Sequence, residues 1–331
     1  MLKNIFFVIT ISTLFFGCSS KKYFEPKKID ANVGYSKTLK SSLVDVCRDG
    51  ATYADGQVIA RNGGLLSVKI PKGFRFVNAS DDSVIITSGS GEMMILTKDG
   101  KKTFEKTFQT QLASATLKDN LLAMVFSDNT IMLYDIKEDN MIYKEPLSHA
   151  VALDARLANP LFLNDLVVFA TLDGRLLIMD SAKKVVLRDV AISNKTLFNN
   201  VMFLDVNDNT LVAATASKII SINPKTINNL SIDVKDIIYK NHKVYVFTKS
   251  GKVVLLDDSL KKIKEIKFPY ALFSAVFEGD RLYAVEKKGY LIEIEKDLSS
   301  YRVVKLPDEI ESSLFGHDNS IYFDNHIITI K

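Results

Sequence analysis

Tryptophan is absent from this chain of 331 residues, and cysteine occurs only at positions 18 and 47. Two cysteines cannot build a disulfide framework, so the fold must rest on a packed core, which a hydrophobic share of 47% is ample to supply. Histidine is scarce as well. His149, His242, His317 and His326 fall at unrelated spacings with no HxxxH or HExxH among them, which leaves a histidine metal site without support. No GxSxG elbow occurs, and the Ser-Gly-Ser-Gly stretch at 88–91 lies within strand-like residues with no helix after it. Neither an acyl-transfer nucleophile nor a phosphate cradle is indicated. Charge of one sign is also lacking. With 43 basic and 39 acidic residues, a net charge of +4 and no concentrated run, nucleic acid is excluded as an expected partner.

What the chain does have starts at its first residues. Lys3, an apolar run over 5–11, and Leu14, Phe15, Phe16 and Gly17 ahead of Cys18 make the positive end, short apolar core and small-residue exit of an export signal. The run is too short for a good membrane span. Gly17-Cys18 resembles the lipobox of bacterial lipoprotein signals, with Phe15 standing where leucine is usual. The resemblance implies cleavage before Cys18 and acylation of that cysteine with more than one chain, which is what stable anchoring requires. Ser19, in place of an aspartate, resembles the pattern that sorts such proteins to the outer membrane. The alternative is a plain secretory cleavage near Gly17 that leaves Cys18 a free thiol. The expected division is a signal peptide at 1–17, a lipidated N-terminus and tether at 18–35, and one domain at 36–331. Cys47 then has no disulfide partner, and after Leu43-Val44-Asp45-Val46 it reads as a small buried hydrophobe.

From about residue 37 no 3.6-residue period persists. Short apolar or alternating runs are instead punctuated by turn pairs such as Asp173-Gly174, which supply the positive φ that hairpins need. The runs recur. Residues 164–180, 242–258 and 280–295 each read strand, tight glycine turn, strand, and looser copies lie at 56–70, 82–100, 120–135 and 209–224, with a last one at 319–331. Aligned on Val58, Val84, Leu122, Leu166, Leu211, Val244, Leu282 and Ile321, the copies have a mean spacing of about 38 residues, the size of a four-stranded propeller blade. The expected fold is therefore all-β: a single β-propeller of eight blades, with seven as the alternative and a pair of β-sandwiches as the rival architecture. The interval from Val58 to Val84 is the shortest, so the first blade is expected to lack its outer strand. The final copy ends after a third strand, and residues 36–42 are expected to complete it and join the chain ends.

The hairpin Thr171-Leu172-Asp173-Gly174-Arg175-Leu176-Leu177-Ile178-Met179-Asp180, followed by Lys183-Lys184, resembles the PQQ-like β-propeller repeat. Together with the lipoprotein signal, the chain is similar to the BamB family of propeller lipoproteins of the outer-membrane barrel-assembly machinery. PQQ-type blades usually carry an outer-strand tryptophan that docks blade to blade; here Phe104, Tyr143 and Tyr301 stand at roughly corresponding places. A quinone enzyme of that family would need a stacking tryptophan, a calcium-binding carboxylate set and often a vicinal cysteine pair, none of which is present.

These readings imply no catalytic residue, no metal ligand and no cofactor, with Cys18 as the one site residue, a lipidation site. The expected function is a non-catalytic scaffold, lipid-anchored in the outer membrane and facing the periplasm, that binds other cell-envelope proteins, the barrel-assembly machinery among the candidates. The alternative is a periplasmic enzyme or small-ligand binder that uses the central channel, which would require polar residues converging from several blades. Cys18→Ala is expected to move the protein to the soluble periplasmic fraction; a variant that stayed membrane-bound through a salt wash would refute the anchor.

Overall fold

The structure, a computed structural model, describes residues 22–330. Eight antiparallel sheets follow one another at 43–69, 74–107, 112–146, 161–191, 203–231, 236–267, 273–305 and 314–329, here blades 1 to 8, each with its strands paired in chain order. Among the described residues there is no helix. Blade 8 has only three strands of its own, and Lys37–Thr38 completes it by pairing antiparallel to His326–Thr329, with Lys37 opposite Ile327. The expected closing strand is thus where the sequence placed it. Blade 7 gains a fifth strand, because Ala31–Asn32 runs parallel to Tyr301–Lys305.

The first blade corrects the repeat register. It does not lack an outer strand: Leu43–Val46, Gly50–Tyr53, Gln57–Ala60 and Gly64–Lys69 make four. Val58 lies on its third strand, whereas Val84 and the other aligned residues lie on second strands. The true counterpart is Ala51, which pairs with Val46 as Val84 pairs with Ala79. That strand carries no hydrophobic signature, because it reads Gly-Ala-Thr-Tyr with no run of large apolar residues. Smallness is required there, since a Cβ on Gly50 would stand 2.3 Å from the ring of Phe76 on blade 2.

Each blade is buried on both faces by its neighbours, and eight separate apolar clusters fill the eight gaps around the ring. This explains the sequence pattern. Second strands such as Thr210–Thr215 are buried at every position and read as continuous small or apolar runs, while outer strands such as Ile227–Ser231 alternate between exposed and half-buried. Without tryptophan, phenylalanine and tyrosine make the outer contacts. Phe104 of blade 2 lies 6.2 Å from Tyr134 of blade 3, Tyr143 joins the cluster between blades 3 and 4, and Tyr301 of blade 7 meets Phe268, at the end of blade 6, edge-on at 4.9 Å.

Residues 22–35, within the stretch expected as a tether, are laid against the ring. Phe24 is buried in the cluster between blades 6 and 7, a contribution of about 2 kcal/mol for a ring removed from water. Asp30 then clasps Val303 through N–H to carbonyl at 2.8 Å and carboxylate to N–H at 2.9 Å. Tyr35 stacks on His326 at 3.8 Å and donates to Asp308.

Blade contacts leave little tolerance. A Cβ on Gly316 of blade 8 would stand 1.9 Å from the ring of Phe277 on blade 7. Gly316→Ala is expected to cost about 1–3 kcal/mol by overpacking, read from the urea midpoint, with Phe277→Leu restoring part of the loss. A midpoint that did not move would show that the two blades do not approach so closely.

Candidate functional site

The inner strands of all eight blades converge on a central channel. Its larger cavity, about 490 Å³, is lined from every blade, with Arg48, Asp49, Asn78, Asp205, Glu278 and His317 among its polar groups. A second cavity of about 120 Å³ shares Arg48, Arg61 and Gly316 with the first, so these residues stand at the partition between them.

Arg48 follows the inner strand Leu43–Val46 and reaches across the channel. Its side chain is only 10% exposed, donates to the Met202 carbonyl at 3.0 Å, lies 3.6 Å from Asp236 and sits 4.5 Å above the ring of Phe203. One guanidinium thus ties blade 1 to blades 5 and 6. Burial and then the neighbouring Arg61 pull its pKa below the usual arginine value, against the opposing pull of Asp236; an arginine so placed remains charged. Arg61 donates to the Arg48 carbonyl at 2.7 Å and lies 3.4 Å from Asp49. Asp49 accepts from Asn159 at 2.6 Å, and Asn159 in turn accepts the Ala115 N–H at 3.0 Å. A chain of polar contacts therefore runs from blade 1 to the residues leading into blade 4 and on to blade 3.

Arg156 and Asp154 form a two-pronged pair at 2.8 and 2.7 Å, and Arg156 Nη1 is buried without a partner. Burial lifts Asp205 above the usual carboxylate range, with the Arg48 charge opposing it. Of the channel's arginines, Arg48 pairs across to other blades, whereas Arg61 pairs within blade 1 and Arg156 within its own connection. Among the described residues, no group of three or more His, Cys, Asp or Glu side chains is placed to hold a metal ion.

Cys18 lies outside the described residues. Cys47 is half-buried rather than fully buried; its thiol donates to the Gly50 carbonyl at 3.4 Å, and burial pushes its pKa up to about 12. The histidines are not brought together as a site: His317 lines the channel, His326 lies under Tyr35, and His242 bridges Asp208 and Asp258 at 3.0 Å each on the surface. The residues that sequence reasoning missed are Arg48, Asp49, Arg61, Arg156 and Asn159. For Arg48 and Asp49 the local signal is charge just after an apolar inner strand, as at Val46-Cys47-Arg48-Asp49; Arg61, Arg156 and Asn159 have no such signal.

A second feature lies on the rim. Connections 147–160 and 192–202 are the two longest between blades, the next being 306–313. They are zipped together by Phe198 N–H to the Ala152 carbonyl at 3.0 Å and Asp154 N–H to Asn200 Oδ1 at 2.7 Å. Yet they expose Val151 (78%), Leu197 (51%) and Phe198 (54%) to solvent. Phe198 holds φ at 51°, a left-handed conformation uncommon for a bulky side chain.

A family model described as outer membrane protein assembly factor BamB matches residues 50–296, from the second strand of blade 1 to just past the third strand of blade 7. The chain belongs to the BamB family. BamB from Moraxella catarrhalis superposes with a TM-score of 0.67, covering 90% of this chain and 100% of that one at 14% identity. The C-terminal WD40 domain of Sif2 gives 0.67 over 92% and 100% at 11% identity, so these two likenesses show the fold alone. The plasminogen-binding protein PgbB of Helicobacter pylori is 30% identical over 82% of this chain, which spans 59% of the length of PgbB.

Breaking a largely buried ion pair strands its partner, at a cost of roughly 3–5 kcal/mol. Arg48→Met is expected to fall near the low end of that range, because Asp236 keeps the Ile237 N–H at 2.8 Å. Denaturant unfolding measures it, and an unchanged midpoint would mean that the arginine does not fasten the ring.

Proposed function

We propose that this chain is a membrane-anchored lipoprotein, acylated at Cys18 and held at the outer membrane facing the periplasm, whose propeller binds other cell-envelope proteins without catalysing a reaction. The observation that carries this reading is the rim patch. Val151, Leu197 and Phe198 are apolar, exposed and presented on two long connections that hydrogen-bond to each other. Long loops held on a rigid scaffold are where binding residues concentrate, and exposed apolar groups on such loops are what a protein partner would cover. Family membership supports the same view, with outer membrane assembly as the candidate process. The relative PgbB is itself described as binding a protein, plasminogen. The pairing of the channel arginines with carboxylates and carbonyls of the ring weighs against the enzyme alternative.

Leu197→Asp with Phe198→Asp is the test. Aspartate tolerates the left-handed backbone at 198, and surface changes usually shift stability by less than about 0.5 kcal/mol. The pair is expected to abolish co-purification of a specific envelope protein from detergent extracts while leaving the melting temperature in place. Partners retained in full, or a small molecule bound stoichiometrically in the channel and lost with Arg48→Met, would overturn the scaffold reading.

A further inference from the structure

The N-terminal strap leaves one flank of the ring close to the point where the lipid would sit. Phe24 is 6% exposed and inserts edge-on between Phe268, at 6.2 Å, and Tyr290, at 5.7 Å. It is six positions from Cys18, a span of at most about 20 Å when fully extended. Around this insertion the surface has an uncommon composition. Tyr23, Tyr270 and Leu272 are about half exposed, at 47, 52 and 53%. Lys22 lies 5.5 Å from the centre of the Tyr270 ring, and Lys288 lies 4.7 Å from that of Tyr23. Residues 21–28 carry four lysines against the single acidic residue Glu25.

We infer that this flank, where blades 6 and 7 meet around Phe24, is a membrane-docking face that lies against an anionic phospholipid surface. The inference rests on the proposed acylation of Cys18. With so short a link to a pinned phenylalanine, an acylated chain cannot let the ring swing freely, and the blade 6–7 flank is the part held nearest the headgroups. Tyrosine is the side chain that favours the headgroup level, with its ring in the apolar boundary and its hydroxyl in water. Lysines beside it are drawn to anionic lipid. In an eight-bladed ring the opposite flank is formed by blades 2 and 3, and the connections at 147–160 and 192–202, at the gaps between blades 3 and 4 and between blades 4 and 5, lie outside the docking flank.

The experiment uses the full acylated protein in vesicles of phosphatidylethanolamine and phosphatidylglycerol whose acyl chains carry bromine. A fluorophore is placed at Tyr270→Cys in one sample and at Met141→Cys, on the outer strand of blade 3, in another. The label at 270 is expected to be quenched and the label at 141 is not. Reversing Lys22, Lys27 and Lys28 to Glu is expected to lower the docked fraction more than tenfold, from about fivefold per lysine. Hydrogen exchange of the unlabelled protein provides a measurement free of substitution, with amides of 268–272 slower in vesicles than in detergent and those of 140–146 unchanged. The mass of the N-terminal peptide reports acylation separately. Acylated protein with equal quenching at both sites would overturn the docking face and leave the anchor standing, whereas protein without acyl chains would remove the anchor and the docking together. Protection of 268–272 that appeared only in native envelope fragments, never in protein-free vesicles, would assign the flank to a protein partner and likewise overturn the inference.

Discussion

The pairing of Lys37–Thr38 with His326–Thr329 turns a row of blades into a ring, and the rest of the molecule depends on it. A four-stranded blade has two apolar faces and one unprotected edge, and no blade is stable alone. Blade 8 packs one face on blade 7 through Leu314, Ile321 and Ile328 and the other on blade 1 through Phe315 and Tyr322. Without the borrowed strand both interfaces lose an outer contact, and Leu39, Tyr35 and Val33 lose the surfaces they cover. The closing residues Thr38 and His326 are 288 positions apart, a loop whose closure in an unstructured chain would cost about 5 kcal/mol. Stacked blades already bring the ends together, so most of that cost is met as each blade docks on the last.

Closure also accounts for the channel. Eight inner strands pointing at one axis bring charged groups from distant blades close together, and a buried charge among them is costly unless it is paired. Arg48 answers this by pairing with blades 5 and 6 at once, and Arg61, Asp49 and Asn159 extend the pairing to blades 3 and 4. The result is a polar fastening inside a ring of apolar interfaces. On the outside, connections 147–160 and 192–202 display the apolar side chains of Val151, Leu197 and Phe198, which the ring does not bury in its own core.

Where local chemistry was strong, the architecture was legible. The hairpin at 164–180 has its turn pair, its flanking apolar strands and its terminal aspartate in adjacent positions, and it folds as read, with Leu166 opposite Asp180. Legibility failed at Gly50–Tyr53, because a strand chosen for smallness against Phe76 has no hydrophobic signature of its own. It failed again over 22–35, where lysines and a proline resemble a solvated linker although Phe24 and Tyr35 are bound to the ring.

The sequence by itself determined the all-β class, the propeller architecture of eight or seven blades, and the strand that closes the ring, because alternation, turn chemistry and repeat spacing are local and are repeated many times along the chain. Tertiary structure decided the channel network, the clustering of exposed apolar residues on two neighbouring loops and the course of the N-terminal strap. Those depend on pairs such as Arg48 with Met202, 154 positions apart, or Asp30 with Val303, 273 apart. No periodicity encodes a contact that exists only once the ring has closed.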